Sequence, residues 1–344
     1  MTCAVRVVDV GGPDFDTFLD LSRRIEGSSE GRAATEAALS PSSPFFRHGR
    51  ATLLLGTDEL GEAVGRVVAS VDDDFPDPAV GHFGFFACIP GQQVATALLD
   101  AASAWLLAQG KTRMQGPTEL SVWHGYRFMT KGFHTTPFPV EPRNPAWYPD
   151  LIRGYGFEPI HRWRSWQLSP LALRLVRWSH WLAKRSLLTR LARAGYRNTM
   201  LEGSGLLERV DEIHPLVQQS FQGHAGVAPV DLEEYSRLVG AFLAGGRVHG
   251  VLVHHPSSDA AVAFGYSFID ARDRIVLHSM GVAREHRGVG LAHQVLHAAF
   301  EVARRQRVRG GVAALAKEGP TIFDAVGAPD RRYALFSVGL EGMA

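Results

Sequence analysis

Apolar and polar positions along the chain follow two periods, and the switches between them outline the elements. Residues 4–10 alternate like a strand, whereas 14–25 place Phe15, Phe18, Leu19 and Ile25 at helical spacing. Residues 51–55 and 61–71 read as paired strands around a polar turn, and 80–88 as an aromatic-rich strand. After Pro90 and Gly91 comes an amphipathic helix over 92–109, and 155–168 returns as a strand. Residues 170–195 then form a basic helix or pair of helices. Leu171, Leu175, Trp178, Leu182, Leu187 and Leu191 are its apolar positions; Arg174, Arg177, Lys184, Arg185, Arg190 and Arg193 carry its charge.

Beyond residue 201 the pattern gives helices over 206–221 and 230–243, the second capped by Gly245 and Gly246, around a flexible turn at 223–226. Strands follow at 248–254, 261–269 and 274–282, then a helix from 291 to about 307, a strand at 308–315, a helix at 320–326 ending on Gly327, and a last strand at 332–338. The strand, loop and helix of 80–109 thus recur at 274–307. Only the second loop carries chemistry.

In that loop Gly288, Gly290 and Ala292 leave backbone N–H groups uncovered at a helix start, and Arg284 and Arg287 add positive charge. Such a turn binds a phosphate or pyrophosphate. No Gly-Lys-Ser/Thr follows it, and its spacing does not match the dinucleotide fingerprint. Its counterpart at Cys88 to Val94 has one glycine, a proline without an amide donor and no arginine.

Arg287, Gly288, Val289, Gly290, Leu291 and Ala292 match the pattern Gln/Arg-x-x-Gly-x-Gly/Ala, which resembles the acetyl-coenzyme A loop of the GNAT superfamily of N-acyltransferases. The order of elements after the loop is similar to that family as well. Residues 50–165, with Gly116 and Pro117, Gly132 and Phe133, and Asn144, Pro145 and Tyr148, resemble the first half of long two-domain bacterial members. The resemblance implies a mixed α/β (α+β) chain of two tandem GNAT-like domains, each a mixed, mostly antiparallel twisted sheet flanked by helices. The expected division is 1–168 for a degenerate first domain, 169–200 for a basic helical connector, and 201–344 for the domain that binds acyl-CoA.

By the same resemblance the thioester of acetyl-CoA, or another acyl-CoA, lies between the strands at 275–282 and 308–315. Met280, Gly281 and Val282 pair with the pantetheine arm, the pyrophosphate sits on residues 287–292, and Gly281 or Val282 supplies the oxyanion donor. Phe221, Gln222 and His224 are expected on the acceptor side. Trp123 and Tyr126, from an aromatic and proline-rich stretch, are expected to line an apolar wall or pack the halves together. His278 is the preferred base, with Ser279 on the opposite face of its strand. The family's acid, a tyrosine four residues before the glycine matching Gly327, is replaced by Phe323. Tyr333, Tyr266 or solvent is then left to protonate the thiolate. Ala316 and Gly319 replace an asparagine and a serine, which opens space for a chain longer than acetyl.

A formal net charge of +1 argues against a general nucleic-acid or membrane-surface binder. Cys3 and Cys88 are too few for a disulfide framework or structural zinc, and Asp72, Asp73, Asp74 and Asp77 read as a solvated turn; no metal is expected. No apolar run reaches the ~18 residues of a membrane span, and the start lacks a leader pattern, so a cytoplasmic protein without stable membrane insertion is the expectation. The expected function is transfer of an acyl group, acetyl by default, from acyl-CoA to a primary amine on a small molecule or peptide. Its alternatives are a longer-chain acyltransferase, fed by acyl-CoA or by an acyl carrier protein docked on 174–193, and a non-catalytic acyl-CoA-binding scaffold. A lipid-surface module using the basic connector is a third reading, with a solvated connector packed across both domains favoured over it.

Overall fold

A computed structural model describes residues 2–27, 31–222, 226–244 and 246–341. In chain order the first part runs β1 (Ala4–Val8), α1 (Phe15–Glu26), α2 (Arg32–Leu39), β2 (Gly49–Thr57), β3 (Ala63–Asp72), β4 (Val80–Cys88), α3 (Gln92–Ala108), β5 (Arg113–Gly116), β6 (Phe128–Lys131), α4 (Tyr148–Tyr155) and β7 (Glu158–Leu168). Helix α5 (Pro170–Arg193) connects it to β8 (Arg197–Glu202), α6 (Val210–Phe221), α7 (Leu232–Ala244), β9 (Arg247–His254), β10 (Ala261–Ile269), β11 (Ile275–Val282), α8 (Leu291–Arg305), β12 (Gly311–Lys317) and β13 (Arg331–Gly339). Strand β8 falls inside the expected connector. The expected helix at 320–326 is a 3-10 turn over Ile322–Val326.

All strands join one sheet in the order β1-β2-β3-β4-β5-β13-β7-β12-β11-β10-β9-β8, with β6 also against β13. The middle of this order interleaves strands from the two stretches of sequence. Strand β7, the last of the first half, pairs antiparallel with β12, while β13, the last of the chain, pairs with β5 and puts Ala334 and Phe336 into the first half's core. Each half completes its sheet with the other's final strand. The boundary at 168 therefore separates stretches of sequence, not self-contained sheets.

Both halves repeat one local geometry. In the first, β4 and β5 run parallel over Val80/Arg113, Gly81/Met114 and His82/Gln115; in the second, β11 and β12 run parallel over Ile275/Gly311, Val276/Val312 and Leu277/Ala313. Each pair is three residues long and then separates. In the second half the separation is built in by a bulge between Ala313 and Ala316, with Leu315 in the left-handed region, which turns β12 toward β7. The Leu315 N–H donates to Ser165 Oγ on that strand.

Candidate active site

The gap between β11 and β12 opens at the start of α8. Gly288 and Gly290 have φ of 83° and 104°, left-handed values that side chains resist. No described group accepts a hydrogen bond from the backbone N–H of Gly288, Val289, Gly290, Leu291 or Ala292. Arg287, Gly288 and Ala292 are exposed, so these donors meet solvent at the positive end of α8. Leu187 of α5 closes the far side of the turn, 2.8 Å from where a side chain at Gly290 would begin. The Arg287 guanidinium lies 3.4 Å from the carbonyls of Gln219 and Ser220 at the end of α6.

Past Leu277 the edge of β11 facing β12 has no strand partner among the described residues, which leaves the backbone of Met280 to Val282 available on that side. Met280 is exposed. Gly281 packs on helix α6, where an added Cβ would collide with Ser220 Oγ and Phe264, so a larger residue would push that helix away.

His278 is the extra residue of a bulge between β10 and β11, where Tyr266 faces Ser279 and Ser267 faces Leu277. This corrects the expected alternation. The bulge brings Ser279 to the cleft side as well, and its Oγ lies 2.8 Å from His278 Nδ1. Burial first, and then the charge of Arg127, pull the His278 pKa down to about 4, so the ring is neutral through the physiological range.

Tyr333 does not reach the cleft. It is fully buried on β13, its hydroxyl donates to Glu141 Oε1 at 2.7 Å, and burial followed by that carboxylate raises its pKa. With the Arg331 guanidinium 2.9 Å from Glu141, it ties the exchanged strand to the proline-rich loop. Tyr266 does line the cleft, hydrogen-bonded to the Tyr235 hydroxyl at 2.9 Å, and burial raises its pKa too. Phe323 stacks obliquely near Trp166 in the cleft wall.

On the acceptor side, Phe221 and Trp123 meet edge to face with ring centres 6.0 Å apart, and Trp123 Nε1 donates to the Ala228 carbonyl across the two halves. Both line the cleft, as does Tyr126. Gln222 is exposed at the end of α6 and does not; His224 lies outside the described residues.

Three polar groups of the cleft escaped the sequence reading. Arg127, with φ of 74°, is wedged between the rings of Tyr126 and Trp163, 3.8 and 4.3 Å from their centres, and its Nε and Nη1 have no partner. Glu119 is raised by burial to about 7. Glu234 of α7 sits between His48 and His124 of the first half, at 3.6 and 3.8 Å. For Arg127 and Glu119 the available signal was a charge inside an aromatic stretch, which does not say which way it faces; Glu234, on α7, had no such signal. Asp72 also departs from the expected solvated turn: it is buried, accepts from His48 at 3.0 Å, and together with Asp74 brings three potential ligand atoms within 4.8 Å.

Together these walls enclose one cleft of about 2160 Å³, running from the β11/β12 gap past Trp123 and Arg127 to Phe85, Arg66 and α1. Residues 210–318 match the model of the acetyltransferase (GNAT) family. That stretch is similar to the GNAT family, and the fold of the whole chain resembles tandem GNAT structures. Among solved structures it resembles a tandem GNAT protein from the clavulanic acid biosynthesis pathway, at 15% identity with 98% of both chains covered and a TM-score of 0.59. A GCN5-related N-acetyltransferase from Sphaerobacter thermophilus aligns at 14% identity over 98% of this chain and 96% of its own, with a TM-score of 0.53.

In sequence the chain is 32% identical over 127 residues to the bacterial ceramide synthase of Caulobacter vibrioides, covering 36% of this chain. It is 34% identical over 102 residues, 29% of this chain, to protein YghO of Escherichia coli. These stretches span 33% and 26% of the two relatives' own lengths.

Proposed function

We propose that the protein transfers a long acyl group from acyl-CoA to the primary amine of an extended, amphiphilic acceptor. The observation that carries this reading is the continuous, mainly apolar cleft of about 2160 Å³, when a site for a drug-sized ligand needs about 300–1,000 Å³. An acetyl group needs far less. The similarity to a ceramide synthase supports a lipid-like amine as acceptor. An acyl carrier protein is the other donor that fits the same gap.

The turn at 287–292 holds the pyrophosphate and the free edge of β11 holds the pantetheine arm, leaving the carbonyl beside Gly281 and Val282 for direct attack by the amine. With its low pKa, His278 is a weak base for a free ammonium. Once nitrogen bonds to the carbonyl carbon its proton becomes far more acidic; His278 with Ser279 can then accept it as the C–S bond breaks, and the departing CoA thiolate takes its proton from solvent. Arg127, lacking a protein acceptor, offers two N–H groups to an oxygen near the reacting end.

Thiol release from acyl-CoA of graded length with a long-chain amine tests this reading. Palmitoyl-CoA should exceed acetyl-CoA by tenfold or more in kcat/KM, and His278→Gln should lower kcat about a hundredfold without changing CoA affinity. A preference for acetyl-CoA, or thioester binding without any release, would reject it; the second result would make the protein a scaffold.

A further inference from the structure

Helix α5 has two apolar faces. Leu173, Val176, His180 and Leu191 are buried, and the His180 ring lies 5.5 Å from both His293 and Phe300 of α8. On the opposite side Leu171, Leu175, Trp178 and Leu182 recur at helical spacing in a single stripe, 64%, 56%, 61% and 43% exposed, with Trp181 beside them at 45%. Helix–core packing accounts for the first face only. The second presents two tryptophans and three leucines to solvent, in a form that monomeric proteins reserve for an interaction.

Charge says what covers it. Arg174, Arg177, Lys184, Arg185, Arg190 and Arg193 lie along this helix, and residues 170–193 contain no aspartate or glutamate, although the whole chain is nearly neutral at +1. An apolar stripe flanked by unopposed cations, with one indole in it and a second at its margin, fits the boundary between lipid headgroups and acyl chains. Among the described residues no helix is long and apolar enough to cross a membrane, so α5 would lie along the surface.

We propose that the outer face of α5 docks the protein on the surface of an anionic lipid bilayer. The inner face of the same helix rests on α8, which lines the cleft, and Leu187 rests on the coenzyme turn. Docking would therefore hold the cleft about one helix diameter, roughly 10 Å, from the lipid, and an amphiphilic amine or acyl chain would enter without crossing bulk water. That delivery role rests on the function proposed above. The docking itself does not, because vesicle binding is measured without turnover.

The test is co-sedimentation of the full chain with vesicles of phosphatidylcholine alone and of two-thirds phosphatidylcholine with one-third phosphatidylglycerol. Binding is expected to the anionic vesicles at low salt and to weaken as salt rises. Leu175→Asp with Trp178→Asp, and separately Arg174→Glu with Arg185→Glu, should each lower the partition coefficient about tenfold or more. Both double variants should still bind CoA like the wild type, which shows that they fold. Absence of anionic-vesicle binding at low salt, or binding untouched by either pair, overturns the proposal. It is also overturned if vesicles fail to bind while the Asp pair dissociates a dimer in sedimentation velocity, which makes the partner a second copy. An acidic acyl carrier protein captured in place of vesicles, through the arginines, would overturn it as well.

Discussion

The two turns that follow β4 and β11 occupy the same place in repeated architecture and differ in what their backbone has left to offer. After β11 five successive N–H groups have no acceptor among the described groups, and both glycines hold left-handed angles. After β4 the Cys88 N–H donates to the Tyr148 hydroxyl, the Ile89 N–H to the Val64 carbonyl, Pro90 has no N–H, and Gly91 is extended at φ 169°. The adjoining gaps differ in the same sense. Beside β4 the Thr118 N–H donates to the Phe83 carbonyl, and Gly84 lies so near the Thr118 backbone that any Cβ would collide with it. In the first half the Cys88 and Ile89 donors are taken, Pro90 has none, and the Thr118 backbone fills the gap, so this half forms a wall of the cleft.

The largest expected effect breaks the exchange that joins the halves. Phe336 of β13 is fully buried in the first half's core, and Phe336→Ala should cost about 3–5 kcal/mol, read by chemical denaturation. If the last strand belonged to the second half alone, the loss would not appear in the fluorescence of Trp105 and Trp147.

Next comes the contrast between the turns. Gly290→Val forces a branched side chain into a left-handed position against Leu187 and should weaken CoA binding roughly a hundredfold by calorimetry, whereas Gly91→Ala should leave it within about twofold. Equal losses would erase the distinction.

A comparable effect separates the parallel strands. His82 occupies on β4 the position that Leu277 occupies on β11, and burial lowers its pKa to about 4 from an ordinary 6.5. The unfolded chain then binds a proton below pH 6.5 that the folded chain refuses until about pH 4, so this histidine withdraws stability as pH falls through that window. His82→Leu should gain about 3 kcal/mol over the wild type between neutral pH and pH 4. A difference independent of pH would refute the buried neutral ring. The smallest effect is expected at Arg287, exposed beside the turn, where Arg287→Ala should weaken CoA binding about fivefold, and less at high salt.

Much of the second half was legible before its fold was known, because strand, glycine turn and helix succeed one another within a few residues and each signal is local. Gly288 and Gly290 announced left-handed angles. Other features were hidden for identifiable reasons. The bulge at His278 breaks the two-residue period, and nothing in the residues marks where an extra one is inserted. Helix α5 has apolar residues on opposite faces, which cancel in any measure of one-sidedness, so it read as a solvated connector until burial separated Leu173 and Val176 from Leu175 and Trp178.

Local spacing was enough to place a strand, a glycine turn and a helix in succession, since these depend on residues adjacent in the chain. Tertiary structure alone decided that β7 and β13 trade places, that Tyr333 is sequestered by Glu141, and that Arg127, Glu119 and Glu234 face one cleft. The alternation of a strand reports which side chains share a face and is silent about which strand will pair with its edge. That choice is made by hydrogen bonds between residues more than a hundred positions apart, and the shared cleft follows from it.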